Sequence, residues 1–346
     1  MGKRVFAGGY AGREEGGLRL LEKEGGSWSC VRVFSGLENP SFLLRHPKHP
    51  VLYTVEELSP AGRLAAFAIE GDKLRKLCAM PSMGADPCHI SLNEAGDVLF
   101  VSNYGSGSIA AFRLDENGVP AEGPSLVRHE KAGGLLPGQH PARQALPHVH
   151  CTASLNGLVL ACDLGMDMVS VYRWEPERGE LLAAGDALCL PHGSGPRHLA
   201  VSPDGAPFVY VICEMKPEVH VFANGENGWR EIQTIQATAP GFADTSPNGA
   251  VGAAIHWINP ERLCVSCRVE DSVTIFSRRP DGKLDFVQRI HTGGRTPRDF
   301  RSVGDELLIA NQDSGEIRIF ALDASGIFVN TGERMSAEKP ACICPI

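Results

Sequence analysis

No stretch of this 346-residue chain approaches the roughly 18 apolar residues that a membrane-spanning helix needs. Positive charge is also short. Lys and Arg number 33 against 41 Asp and Glu, a net charge of −8, which argues against a nucleic-acid or membrane-surface partner. Aromatic residues make up only 7% of the chain, few for a broad carbohydrate-stacking platform. Strong amphipathic helical patterns are absent. So are the G-x-S-x-G nucleophile elbow and the H-E-x-x-H zinc motif. The opening residues, MGKRVFAGGYAG, carry no apolar core or cleavage site, so no signal peptide is expected.

What the chain does have is turn-forming residues: 39 Gly and 24 Pro, suited to many tight turns. The apolar fraction of 43% is enough for a sizeable core. The 11 cysteines are odd in number in a large chain without a secretory signal, so a reducing cytoplasm is the expected compartment. Cys162, Cys213, Cys264 and Cys267 lie in apolar strand patterns, where a thiol behaves as a small hydrophobe. Cys264-x-x-Cys267 has the spacing of a metal pair but sits mid-strand with no second pair. Neither a metal nor another cofactor is expected.

The clearest local unit runs from His192 to Glu214, HGSGPRHLAVSPDGAPFVYVICE. A Gly-Pro turn leads into a short strand opened by Arg197 and His198. Pro203-Asp204-Gly205 turns the chain, and a second strand ends on Glu214. This unit recurs. Equivalent second strands end at Tyr10, Glu57, Tyr104, Leu164, Glu214, Arg268 and Gln312, spaced 44 to 60 residues apart. Seven repeats of about 50 residues, each with several strands, are the signature of a β-propeller. The expected fold is therefore all-β, a seven-bladed β-propeller occupying residues 1–346 as one domain. The first repeat lacks a strand before VFAGGY, and the chain ends in KPACICPI. Because an open ring would leave sheet edges exposed, Ala341–Cys344 should supply the innermost strand of the first blade. Residues 119–147 and 237–252, rich in Gly, Pro and Ala, read as loops over one face.

In a propeller the innermost strands line a central channel. Reactive side chains crowd those positions here: His89, His148, His150, Arg197, His198, Glu214, His256, Arg268, Arg298 and Asp299. Arginines with histidines and a carboxylate fit a site for a small anionic substrate with acid–base chemistry. Glu214 is the expected general base. His148 and His150, at i and i+2, fall on one face of a strand. Structural uses stand beside these: His89, His198 and His256 as buried structural histidines, Arg298 and Asp299 as a pair, Glu57 and Asp163 as anchors between blades.

Several words carry a family resemblance: NPS at Asn39–Ser41, NYGSGS at Asn103–Ser108, RQALPHVH at Arg143–His150, DLGMD at Asp163–Asp167, GSGPRH at Gly193–His198, CR at Cys267-Arg268, PRDF at Pro297–Phe300 and NQDSG at Asn311–Gly315. Together they resemble the lactonase-type seven-bladed β-propeller family. That family includes bacterial 6-phosphogluconolactonases and fungal carboxy-muconate lactonising enzymes. The resemblance implies hydrolysis of a sugar lactone, 6-phospho-D-glucono-1,5-lactone first, with a muconate cycloisomerase or a non-catalytic binding propeller as alternatives. It implies a catalytic set of His150, Glu214, Arg197 and Arg268, with Glu214 as acid/base and the arginines holding the anion. His148, His198, His89 and Arg298 are then expected to contact the substrate. A closed ring needs no partner to cover its edges, so a monomer and a homodimer both suit the sequence.

Overall fold

The computed structural model describes residues 2–121, 123–130, 140–242 and 251–346. Among these there is no helix; the chain forms seven antiparallel sheets in sequence order. Blade 5 shows the pattern, with Pro196–Val201 innermost, then Phe208–Cys213, Glu218–Gly225 and Gly228–Gln236. Successive innermost strands contact one another around the channel, and the last contacts the first.

Burial follows the apolar pattern. Second strands such as Val51–Glu56 and Val98–Asn103 are buried at every position, because neighbouring blades cover both faces. Third strands such as Met168–Glu175 alternate, and outer strands such as Lys73–Pro81 face solvent over much of their length. Blade 3 departs from the loop expected at 119–147. Ser125–Arg128 is its outer strand, paired with Ser108–Arg113. At four residues it is too short to stand out in a Gly- and Pro-rich context. The remainder of that loop reading at residues 122 and 131–139, and of the second at 243–250, lies outside the described residues.

The ring closes as the sequence implies. Pro340–Pro345 pairs antiparallel with Lys3–Gly9 and is the innermost strand of blade 1. Ile343 is fully buried among Val5, Ala7, Leu308 and Ala310, so one residue ties blade 1 to blade 7.

One feature was not legible in strand periodicity. The innermost strands of blades 3 to 7 each carry a register shift near their start: Pro87/His89, Val149/Cys151, Pro196/His198, Gly252/Ile255 and Pro297/Asp299. A bulge leaves one residue without a ladder partner and re-aims its side chain. In four blades that residue is Cys88, His150, Arg197 or Arg298.

Ile343→Ala should lower the unfolding free energy by about 2–5 kcal/mol, the usual cost of truncating a buried Ile. Val329→Ala, on an exposed outer strand, should change it by less than about 0.5 kcal/mol. Urea titration of both variants checks this; a near-zero effect at Ile343 would mean that the C-terminal strand does not hold the ring shut.

Candidate active site

The bulged residues meet a second ring of side chains, those just past the second strands. Tyr10, Glu57, Tyr104, Glu214 and Arg268 all occupy that place in their repeats. Residues of both rings, joined by Arg143, line an open cavity of about 270 Å³: Glu57, Cys88, Tyr104, Arg143, His150, Glu214, Arg268 and Arg298.

Glu214 is its hub. The backbone brings it there: its amide donates to the Gly195 carbonyl at 2.7 Å, and its own carbonyl accepts from Val251 and Gly252. Gly252 has to be glycine, since a Cβ would lie 2.0 Å from the Cys213 carbonyl oxygen. The Glu214 side chain is 3% exposed. Its Oε1 accepts from Arg143 Nη2, and its Oε2 accepts from Arg197 Nε at 2.9 Å and lies 3.0 Å from Arg268 Nη2. Burial alone would raise its pKa. Arg268, Arg197 and Arg143 outweigh that and hold it well below the usual carboxylate range. A carboxylate so held is an anchor and a weak base, which departs from the role expected of Glu214 from its position in the sequence.

His150 is the better base. Burial first, and Arg197 next, push its pKa well below 6.5, so the imidazole is neutral at physiological pH. Its Nδ1 lies 3.7 Å from the Cys88 sulfur, while no hydrogen bond engages its Nε2 among the described residues. Burial raises the Cys88 thiol well above its ordinary value, so Cys88 is a protonated neighbour rather than a nucleophile.

Arg197 lies beneath the cavity, 2% exposed. Besides Glu214, it donates from Nη1 to the Ala253 carbonyl at 2.7 Å and to His198 Nε2 at 3.1 Å. Arg268 also donates to the Gly252 carbonyl. Arg298 does not pair with Asp299. It donates to the Tyr10 hydroxyl and to Gln312, with its guanidinium over the Tyr10 ring, while Asp299 accepts from His256 Nε2 and the Ile343 amide. Glu57 Oε2 accepts from the hydroxyls of Tyr10 and Ser41, so it joins blades 1 and 2 as an anchor and also faces the cavity. Asp163 is an anchor only, accepting from His129 and the His148 amide.

Of the four expected substrate contacts, Arg298 alone lines the cavity. The bulge at His150 breaks the i, i+2 relation. The His148 ring stacks on Tyr104 at 4.3 Å and its Nδ1 donates to the Tyr104 carbonyl. His198 and His89 sit one layer down the channel, in edge contact with each other at 5.3 Å. Among the described residues, no group of three or more His, Cys, Asp or Glu side chains could hold a metal ion.

Sequence reasoning did not place Arg143, Tyr104, Glu57 or Tyr10 in the site. The last three were visible in the repeat alignment, as counterparts of Glu214 and Arg268. Arg143 comes from a turn before an innermost strand, where no strand grammar applies; it also donates to the Tyr104 hydroxyl. In all, the guanidiniums of Arg143, Arg197, Arg268 and Arg298 stand around Glu214 and Glu57, which gives the cavity an arginine-rich lining.

Known proteins share this architecture and length. The chain is 29% identical over 334 residues to the 6-phosphogluconolactonase of Bacillus subtilis, covering 93% of this chain and 92% of that protein. It is 28% identical over 337 residues to the 6-phosphogluconolactonase of Formosa agariphila, covering 92% of each. The solved structure of a periplasmic gluconolactonase from Pseudomonas aeruginosa superposes with a TM-score of 0.88 at 29% identity, over 100% of this chain and 99% of that one. The family model described as "Lactonase, 7-bladed beta-propeller" matches residues 4–345, and the chain belongs to that family.

Proposed function

We propose that this protein is a lactonase that hydrolyses 6-phospho-D-glucono-1,5-lactone to 6-phosphogluconate, the hydrolytic step of the pentose phosphate route. The observation that carries the reading is a neutral His150, its Nε2 without a hydrogen bond among the described residues, in a cavity lined by Arg143, Arg268 and Arg298. A phosphate dianion suits this arginine-rich lining, and Arg298 is placed to hold it by paired N–H contacts. The relatives named 6-phosphogluconolactonase support the choice of substrate. The eleven free cysteines favour a reducing cytoplasm.

The chemistry needs no further group. Water against His150 Nε2 attacks the lactone carbonyl carbon, and the imidazole takes its proton. The carbonyl oxygen becomes an oxyanion, which Arg268 and the remaining nitrogen of Arg197 stabilise. Collapse breaks the bond to the ring oxygen, and the imidazolium returns the proton to it. One histidine serves as base and then acid. Glu214 keeps the arginines in place throughout.

The first test is the decay of freshly made phosphogluconolactone against its spontaneous hydrolysis, beside the unphosphorylated gluconolactone. The phosphorylated lactone should be the faster substrate, and Arg298→Gln should erase that preference. Equal rates for both lactones in the unaltered protein would remove the phosphate from the reading. Failure on both with turnover of a muconate would move the assignment to the cycloisomerase reaction, since the same arginines suit a polycarboxylate.

His150→Gln should lower kcat/KM by about 10²- to 10⁴-fold, the usual worth of a positioned general base. Because the His150 pKa lies well below 6.5, its base form persists on acidification. Measured as kcat/KM on the unphosphorylated lactone, which reports the free enzyme and brings no titrating phosphate of its own, the rate above background should stay level from pH 7.5 down to about 5.5, where an ordinary histidine of pKa near 6.5 would already be mostly protonated. A half-maximal point near 6.5 would contradict this assignment.

Glu214→Gln separates anchor from base. As an anchor, its loss leaves the buried arginines without their counter-charge, at a cost of about 3–5 kcal/mol in stability, together with a rise in KM. Lost kcat with unchanged stability in urea would instead restore Glu214 as the base.

A further inference from the structure

The far end of the channel carries chemistry that the lactonase reading does not use. There the second halves of the innermost strands line another cavity, of about 410 Å³, which includes Arg45, Arg301, His89, His256, Ser91 and Thr152. None of the catalytic arginines belongs to it. Arg45 is the last residue of the innermost strand of blade 2, and Arg301 lies midway along that of blade 7. Blade 1 contributes Pro340–Pro345 between them.

Hydrogen-bond accounting leaves this cavity short of acceptors. Neither Arg45 nor Arg301 makes a side-chain hydrogen bond or ion pair among the described residues, and Arg45 Nε is buried without a partner. The carboxylate that acts on Arg301 is Asp299, but its two oxygens already accept from His256 Nε2 at 2.7 Å and from the Ile343 amide at 2.8 Å. His89 is 9% exposed and packs on Phe42, and its Nδ1 is buried with no partner. Ser91 and Thr152 share one hydrogen bond of 2.6 Å across adjacent blades, which leaves one of the two hydroxyl protons to donate. Donors therefore outnumber acceptors around a cavity in a chain whose overall charge is −8. Leaving buried donors unmet costs stability, and such a set in a native protein points to a ligand.

We propose that this opposite mouth of the channel is a second anion site, in which Arg45 and Arg301 grip the phosphate group of a small metabolite, with Ser91 or Thr152 as a further donor. One phosphate dianion balances both guanidiniums, and each planar fork can take two of its oxygens. The apolar walls at Phe42, Leu44 and Ile90 leave room for a short carbon skeleton beside the phosphate. The site shares no arginine with the catalytic pocket, so it stands whether or not the chain is a lactonase.

Calorimetric titration with inorganic phosphate and with glucose 6-phosphate, at matched ionic strength, tests it. The unaltered protein, Arg298→Gln, Arg45→Gln/Arg301→Gln and the combination of all three substitutions are compared. Saturable binding should survive in Arg298→Gln, which weakens the phosphate grip of the upper pocket, and that remaining event should weaken by about tenfold or more when Arg45→Gln/Arg301→Gln is added to it. Glucose 6-phosphate binding well above inorganic phosphate identifies a phosphorylated metabolite as the ligand; equal binding identifies free phosphate. Should the double variant fail to fold, Arg301→Lys keeps the charge and removes the fork, and it should bind several-fold more weakly. Crystals soaked in tungstate should show an anomalous peak between Arg45 and Arg301. Binding in Arg298→Gln that is unchanged when Arg45→Gln/Arg301→Gln is added, binding that disappears in Arg298→Gln alone, or binding seen only at crystal soaking concentrations would overturn the second site.

Discussion

Everything at the working end of this propeller depends on one buried carboxylate. Glu214 lies among guanidiniums from three blades' worth of chain: Arg143 before blade 4, Arg197 in blade 5 and Arg268 in blade 6. Without it, three cations would share a nearly dry volume and repel one another. With it, they are fixed in direction and partly neutralised, and what remains is a preorganised positive cavity. Its backbone does a matching job, since its amide and carbonyl bind Gly195 on one side and Val251 and Gly252 on the other. The residue is thus both the seam between two blades and the counter-charge of the site. That dual use explains why so costly a burial is tolerated.

The propeller supplies the geometry that makes this possible. Each blade offers the channel mouth two positions, the bulge at the start of the innermost strand and the residue just past the second strand. A regular strand would point alternate residues into the channel and the neighbouring blade. The bulge adds one extra residue at the rim, and four blades spend it on Cys88, His150, Arg197 and Arg298. The repeats are therefore structurally alike and chemically different. Function resides in about ten side chains on a frame whose remaining residues hold the ring shut.

Much of this was legible in the sequence, and for identifiable reasons. Tyr10, Glu57, Tyr104, Glu214 and Arg268 fall at one place in the repeat because apolar second strands are easy to align. The closing strand was legible because a blade missing a strand and a leftover apolar tail fit together. What was hidden depended on departures from period two. His148 and His150 should share a face on a regular strand, and the bulge turns one onto the Tyr104 ring and the other into the cavity. His89 and His198 follow bulged residues, so they drop to the layer below. Arg143 belongs to a turn, and only three-dimensional closure brings it to Glu214. The base itself was open to misreading for an electrostatic reason. A carboxylate in a motif looks like a base until its cations are counted, and that count exists only in the folded state.

The same field that disables Glu214 tunes His150. Burial and the nearby guanidiniums keep the imidazole unprotonated, so it is ready to accept a proton at neutral pH, although its low pKa makes it a weak acceptor in the empty site. A dianion bound by Arg298 cancels much of the positive potential that depresses it. Its pKa must then rise toward the range in which a histidine both takes a proton from water and gives it back to a leaving oxygen. An uncharged lactone of the same shape brings no such change. Phosphate binding would thus contribute twice, once by holding the substrate and once by strengthening the base, and the second contribution would appear in kcat rather than KM.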